Sequence, residues 1–450
     1  MPAMTMALRT TVDSLRSTSN RIAVAEPDVP FVSAVSNQPL SLEEFALLRD
    51  AVSTVSVTKN FKDIVAFFKT PAGGTPAGYR IERALERDGR LVFDLVRDIG
   101  YEANGRKRAI PLIFSADSAN PYEIEPIKNL IGNLTCNPGI IYDLFLNNPK
   151  ANVGNRFHTR EEVISEIANI LGPGCDISVE LNDPFERDLN RVLEEIAPFE
   201  EILSKHRLIV KVPHTGPVNE SNAQDLLHGN GRLRVRYDKG TTADYLRGHN
   251  LAIKLKELGY RINFTLMFEP HQVPMALQVR PAFINAFVRH RLLASKRFRD
   301  AIDAVKYDKN SGALEKLREF LLANDYLAAG EENTDLDTVR SIAETYLSLR
   351  QYDSVEGADG LDAARAGLRW LKTSNLDETR LIICSMEGDF NFPDVIRMLT
   401  EREFQDMQDR VVITSEPNYI ARFCSSPQVV AYQRRFLKAV HSNAQKVAAQ

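Results

Sequence analysis

The sequence predicts a (β/α)8 barrel with an N-terminal helical extension and a helical insertion after the sixth strand. From residue 109 onward, short apolar runs alternate with amphipathic helical patterns, the signature of parallel strands joined by right-handed crossovers. There are eight such runs, the number that closes into a barrel. One of them, Arg207-Leu208-Ile209-Val210-Lys211-Val212-Pro213, is apolar throughout except for a central lysine, as expected of a strand covered on both faces. A doubly wound open sheet shares this periodicity and is the structural alternative. The boundaries drawn are 1–108 for the extension, 109–290 for the first part of the barrel, 291–378 for the insertion, and 379–450 for the end of the barrel with a C-terminal helix.

Residues 1–20 are rich in Ser, Thr and Arg with one acid, Asp13. This composition faintly resembles a transit peptide, but a frayed N-terminal arm is the expectation. Ser41-Leu42-Glu43-Glu44 reads as a capping box opening a helix with an apolar face at Phe45, Leu47, Leu48 and Val52. Further helices are expected over 60–68 and 79–99. Between them a doubled Thr-Pro-Ala-Gly motif at 70–78 reads as a loop, and its glycines lack the Lys-Ser/Thr ending of a phosphate-cradling loop. The basic patch Arg106-Lys107-Arg108 leads into the first barrel strand.

Strands are expected at 110–115, near 134–135, and at 177–181, 207–213, 261–267, 282–288, 381–384 and 411–414. Helices are expected at 122–130, at 159–171 behind a Thr159 cap, and at 184–204. Two connections exceed the usual barrel loop. The first, about 214–241, is polar and Gly-rich, with Arg232, Arg234 and Arg236 alternating as if on one face of a hairpin arm. It leaves from the C-terminal end of the lysine strand and so lies over any active site. The second holds helical patterns near 312–323, 335–351 and 359–373.

The 450 residues are 44% hydrophobic and 26% charged, with a net charge of -4 and a pI near 6.1. Charges of both signs are interspersed, so the expected partner is a small molecule and not nucleic acid. Cys136, Cys175, Cys384 and Cys424 are widely spaced without a CxxC, which argues against disulfides or a thiolate zinc site and for buried thiols in a reducing, cytoplasmic setting. No apolar run approaches the roughly 20 residues of a membrane helix. The histidines show no HExxH pairing; His249, His271 and His290 read as local hydrogen-bonding residues, and no metal or cofactor is expected.

Barrel chemistry sits at the C-terminal ends of the strands. Polar residues fall there at Asp117, Ser118, Asn137, Glu180, Lys211, Thr265 and Ser385. Singly, each could cap the following helix. Together, two acids, an amide, an amine and hydroxyls form the set that Schiff-base chemistry requires. Burial should push the Lys211 amine toward its neutral, nucleophilic form; the alternative is a lysine whose stem is buried and whose head reaches water.

Five motifs carry a resemblance. Ser115-Ala116-Asp117-Ser118-Ala119, Leu134-Thr135-Cys136-Asn137-Pro138-Gly139-Ile140-Ile141, Ser178-Val179-Glu180-Leu181, Ile209-Val210-Lys211-Val212-Pro213 and Asn263-Phe264-Thr265-Leu266-Met267-Phe268 resemble, in order, strand motifs of the transaldolase family. The likeness covers roughly 110–290 and 375–420. It implies that Lys211 forms a Schiff base with the C2 carbonyl of a ketose and that Asp117 exchanges the C4 hydroxyl proton. It further implies that Glu180 and Thr265 manage the proton-shuttling water, and that Asn137 and Asn263 hold the dihydroxyacetone hydroxyls.

Two departures bear on substrate. Where the family has a phosphate-binding arginine in an S-P-F-V-G-R run, this chain reads Asn285-Ala286-Phe287-Val288-Arg289-His290; where it has S-F-R, this chain reads Ser385-Met386-Glu387. Asn285, Phe287, Arg289 and Ser385 are therefore expected to line the substrate site. The substrate is expected to be unphosphorylated, or to have its anion gripped by Arg289, Arg291 or the 232–236 arm. An ordinary sugar-phosphate transaldolase of the pentose phosphate pathway, a ketose aldolase, and a non-catalytic barrel used for binding are the competing readings. The added helices weakly favour a homo-oligomer.

Overall fold

In the computed structural model, which describes residues 10–18, 22–310 and 312–448, eight parallel strands close into a barrel. After the extension strands β1 (Ala23–Val24), β2 (Thr54–Val57), β3 (Tyr79–Leu85) and β4 (Arg90–Arg97) come the staves β5 (Ile113–Asp117), β6 (Ile131–Thr135), β7 (Asp176–Glu180) and β8 (Arg207–Pro213). They continue as β9 (Arg261–Thr265), β10 (Phe283–Phe287), β11 (Arg380–Cys384) and β12 (Val411–Ser415), which pairs back onto β5 and closes the ring. All eight expected strands form, most with ends moved by a few residues. The open-sheet alternative is excluded by the β12–β5 pairing.

The register decides what fills the interior. Glu180 lies beside Lys211, and Lys211 beside Asn263; Asp117 lies beside Thr135. Side chains alternate across each strand, so these residues share the inner face. Lower down, Ile113, Ile209, Phe283, Ile382 and Val412 form an apolar plug joined by Ile99 from the extension. The outward-facing residues pack under the surrounding helices, as with Val210, Val212, Ile262 and Phe264 beneath Ala252 and Leu255.

The extension differs from the expectation. Ser41 caps the helix Leu42–Ala51 with a full capping box, and Lys59–Phe67 is helical as expected. Residues 79–99, expected as a helix, are instead the antiparallel hairpin β3–β4, part of a four-stranded sheet ordered β1-β2-β4-β3. Burial in β4 alternates at Leu91, Phe93 and Leu95, and Gly89 turns the hairpin with φ of 83°. The expected frayed arm falls partly outside the described residues, but Val12–Thr18 is a helix with Val12 and Leu15 fully buried.

Two further expectations fail locally. The helix expected over 122–130 is one turn, Pro121–Ile124, followed by a 3-10 turn at Glu125–Ile127, because prolines interrupt its hydrogen bonding. The arm around 232–236 contains no strand, and Arg236 is clamped bidentately by Asp238 at 2.6 Å. Among the helical patterns after β10, Gly312–Ala323 and Leu336–Leu349 pack with Arg289–Lys306 around their own core of Phe298, Leu317, Leu321 and Val339. The third, Asp362–Thr373, packs on the barrel itself through Leu368 and Leu371.

Cys136, Cys175 and Cys384 are buried as expected, whereas Cys424 is exposed. The C-terminal helix Pro427–Ala448 leaves Val430, Phe436, Leu437 and Val440 more than half exposed. Among the described residues no helix is long and apolar enough to cross a membrane.

Candidate active site

Lys211 is only 5% exposed, and its Nζ lies 2.9 Å from Glu180 Oε2. The strand runs through Pro213 before it bends away, and the next helix is pressed against that end. A Cβ added at Gly248, in the helix Arg247–Glu257, would lie 2.2 Å from the Pro213 carbonyl oxygen. Only glycine permits this approach of the helix to the end of the lysine strand.

Burial alone would lower the lysine pKa, as expected from the sequence. Here the negative charges of Glu180 and Asp117 outweigh that burial and hold the ammonium above the ordinary lysine range. Glu180 is the carboxylate in direct contact with this ammonium.

On the other side of the mouth, Asp117 Oδ1 accepts a hydrogen bond of 3.1 Å from Thr135 Oγ1. Burial pushes the Asp117 carboxyl above its ordinary range, while Lys211 and the Thr135 bond pull the other way. Glu416, just past β12, adds to the upward push. Thr135 appeared in the sequence only as part of a motif; its register beside Asp117 gives it a positioning role. Arg160 is a second residue that sequence reasoning missed. From the helix Arg160–Leu171 it donates to the Glu180 carbonyl oxygen at 3.0 Å and to Glu195 Oε1 at 2.9 Å, fixing the top of β7 from outside the barrel. No sequence signal distinguished it from a first-turn surface arginine.

A chain of side-chain hydrogen bonds starts beside the lysine, at Asn263. Asn285 Nδ2 donates to Asn263 Oδ1 at 2.6 Å, and Asn263 Nδ2 to Ser178 Oγ at 3.2 Å. Thr265 Oγ1 is buried with no hydrogen-bond partner among the described residues. Lys211, Glu180, Asp117, Thr265, Asn263 and Asn285 thus share the inner face of the barrel. Asn137 is different: its Oδ1 accepts from the Ile140 amide at 2.9 Å, capping the helix that follows. Ser118 likewise serves local structure, donating to Glu123 and accepting from the Asn120 amide.

The rim beside β10 holds the remaining candidates. Phe287 packs on Phe268 with ring centroids 4.7 Å apart, and Ser385 Oγ lies 3.1 Å from His290 Nδ1. Arg289 Nε is 3.6 Å from Glu387 Oε2. Leu266 and Ser385, on either side of β10, both adopt left-handed backbone, with φ of 54° and 57°. Such strain costs on the order of 1 kcal/mol per residue and persists only where surrounding structure enforces it. Arg291, expected as one of the anion-gripping cations, is 2% exposed and bound bidentately by Asp362 as well as by Glu269 at 3.0 Å.

Residues 114–318 match the family Transaldolase/Fructose-6-phosphate aldolase. This part of the barrel is similar to the transaldolase/fructose-6-phosphate aldolase family. No curated protein matches the chain. The family match begins within β5, contains β6 to β10, and ends in the helices that follow, so it spans the staves carrying Glu180, Lys211 and Thr265. A transaldolase/aldolase barrel of this kind supports an enzyme of the transferase or aldolase type.

Proposed function

We propose that the protein transfers a three-carbon dihydroxyacetone unit from a ketose to an aldehyde through a Schiff base on Lys211, and that its substrates are unphosphorylated. The observation that carries this reading is the buried Lys211–Glu180 contact of 2.9 Å, with Asp117 on the same inner face. Glu180 takes the ammonium proton, and the free amine adds to the C2 carbonyl of the donor. Loss of water gives an iminium, an electron sink for the C3–C4 bond. Asp117 accepts the C4 hydroxyl proton as that bond breaks and the aldehyde departs. The enamine left on Lys211 then adds to a second aldehyde, Asp117 returns the proton to the new hydroxyl, and water releases the product. Glu180 and Thr265 hold that water, while Asn263 and Asn285 bond the hydroxyls of the three-carbon unit.

The charge arrangement at the rim supports an unphosphorylated substrate. Glu387, which takes the place of the arginine in the S-F-R run that this segment resembles, lies 3.6 Å from Arg289. Arg291 is committed to Glu269 and Asp362, and Arg236 to Asp238. At the buried Arg291 a phosphate would have to displace a carboxylate from the guanidinium and leave that acid unpaired.

Borohydride reduction of the full-length protein with a panel of free and phosphorylated ketoses, read by peptide mass against Lys211→Arg, tests the reading. A reduced adduct on Lys211, formed more readily with free than with phosphorylated ketoses, is expected. Absence of any adduct would overturn the Schiff-base assignment, and preference for a phosphorylated ketose would overturn the substrate assignment.

A further inference from the structure

The two long connections meet. The Ala329 amide donates to the Leu233 carbonyl at 2.9 Å, and the Tyr346 hydroxyl donates to the Tyr237 hydroxyl at 2.9 Å. Between them and the helix Arg289–Lys306 lies a cavity of about 440 Å³. Ligand pockets typically hold about 300–1,000 Å³. Its walls include Tyr237 from the first connection, Phe320, Tyr326 and Tyr346 from the second, and Phe268 from the rim of the barrel mouth. Phe268 is shared: one side lines the cavity and the ring packs on Phe287 at the end of β10.

The cavity has two cations, and neither is unpaired. Arg350 donates to Glu269 at 2.7 Å and to the Tyr326 hydroxyl at 3.2 Å, and Arg291 holds Glu269 and Asp362. The acids Glu269 and Asp325 balance the two arginines in charge. A lining that is neutral in sum and carries five Phe and Tyr rings desolvates a flat uncharged group at little cost, whereas a phosphate or carboxylate would disrupt an existing ion pair.

We propose that this cavity seats the non-reacting end of the carbonyl substrate, and that this end is an uncharged aromatic ring. The inference rests on the Schiff-base reading above, and it assigns both connections a role in specificity. The acceptor aldehyde presents its carbonyl to the enamine held on Lys211 and lays its ring beyond Phe268, between the tyrosines.

The test uses the full-length protein and Leu293→Trp, which fills the cavity from a position 52% exposed on its wall. Binding of benzyl alcohol is followed by saturation-transfer NMR. Addition of dihydroxyacetone to 3-hydroxybenzaldehyde or to glyceraldehyde is followed by product formation. Benzyl alcohol should bind the parent and be lost in the variant. The aryl aldehyde should show a KM about tenfold below that of glyceraldehyde, the discrimination a few apolar contacts supply, and Leu293→Trp should abolish that advantage. Equal binding in both proteins, or no KM advantage for the aryl aldehyde, overturns the proposal. Loss of the Lys211 adduct with benzyl alcohol binding intact would instead count against the Schiff-base reading and leave the cavity assignment standing.

Discussion

Replacing Glu180 by Gln removes the charge beside Lys211 while keeping the shape. At 2.9 Å and an effective dielectric of about 20, a unit charge pair is worth about 6 kcal/mol. If rearranged dipoles and water recover two thirds of that, about 2 kcal/mol remains, or about 1.5 pKa units. The sign is fixed: Glu180 raises the lysine pKa, so its loss lowers it and the free amine forms at lower pH. The assay is cyanoborohydride trapping of dihydroxyacetone on Lys211 at a series of pH values. In the parent, trapping should climb with pH across the neutral and alkaline range. In Glu180→Gln the climb should begin at least one pH unit lower, while full turnover drops by about 10²–10⁴ for want of the proton acceptor. A trapping profile that stays in place, or moves to higher pH, would refute the argument that Glu180 keeps the amine charged.

Two further outcomes follow from packing. Gly248→Ala places a carbon against the Pro213 carbonyl oxygen, so the end of β8 must shift; trapping should slow by about tenfold or more with the far-ultraviolet circular dichroism unchanged, and unaltered trapping would mean that this contact does not position the lysine. Ile99→Ala opens a hole in the barrel floor and should cost about 3 kcal/mol in a denaturant titration, with trapping per folded molecule preserved; a loss below about 1 kcal/mol would show that the extension does not help to close the barrel.

The barrel was legible because each stave is an apolar run with a polar residue near its upper end, and because the lysine strand is closed by Pro213. The inward-facing polar group was legible for the same reason: Asp117, Glu180, Lys211 and Thr265 each stand at or near the upper end of a parallel stave. The charge state of Lys211 was not legible, since it depends on which carboxylates the closed ring brings beside it. The β3–β4 hairpin was misread although its signals were present, namely Asp88-Gly89 and the alternation Leu91, Phe93, Leu95. Charged residues interspersed among these allow a helical spacing as well, and pairing with β2 decided the outcome. The alternating arginines at 232–236 misled in the opposite sense, for alternation without an apolar partner strand gives nothing to pair with. The bond from the Ile140 amide to the Asn137 side-chain oxygen depends on how the chain turns into the following helix, which the motif alone did not reveal.

The place of Ile99 in one apolar cluster with Val412 also bears on how the molecule is made. The extension is synthesised first, yet the apolar socket that receives Ile99 is complete only when the last stave, near the other end of the chain, has joined the first. Contacts so distant in sequence form late, and Ile99, just past the end of the β3–β4 hairpin, must wait with its apolar side chain unburied. During synthesis that interval is when the chain is most exposed to aggregation, so the yield of soluble protein should depend more on the fate of the early hairpin than on the stability of the finished barrel.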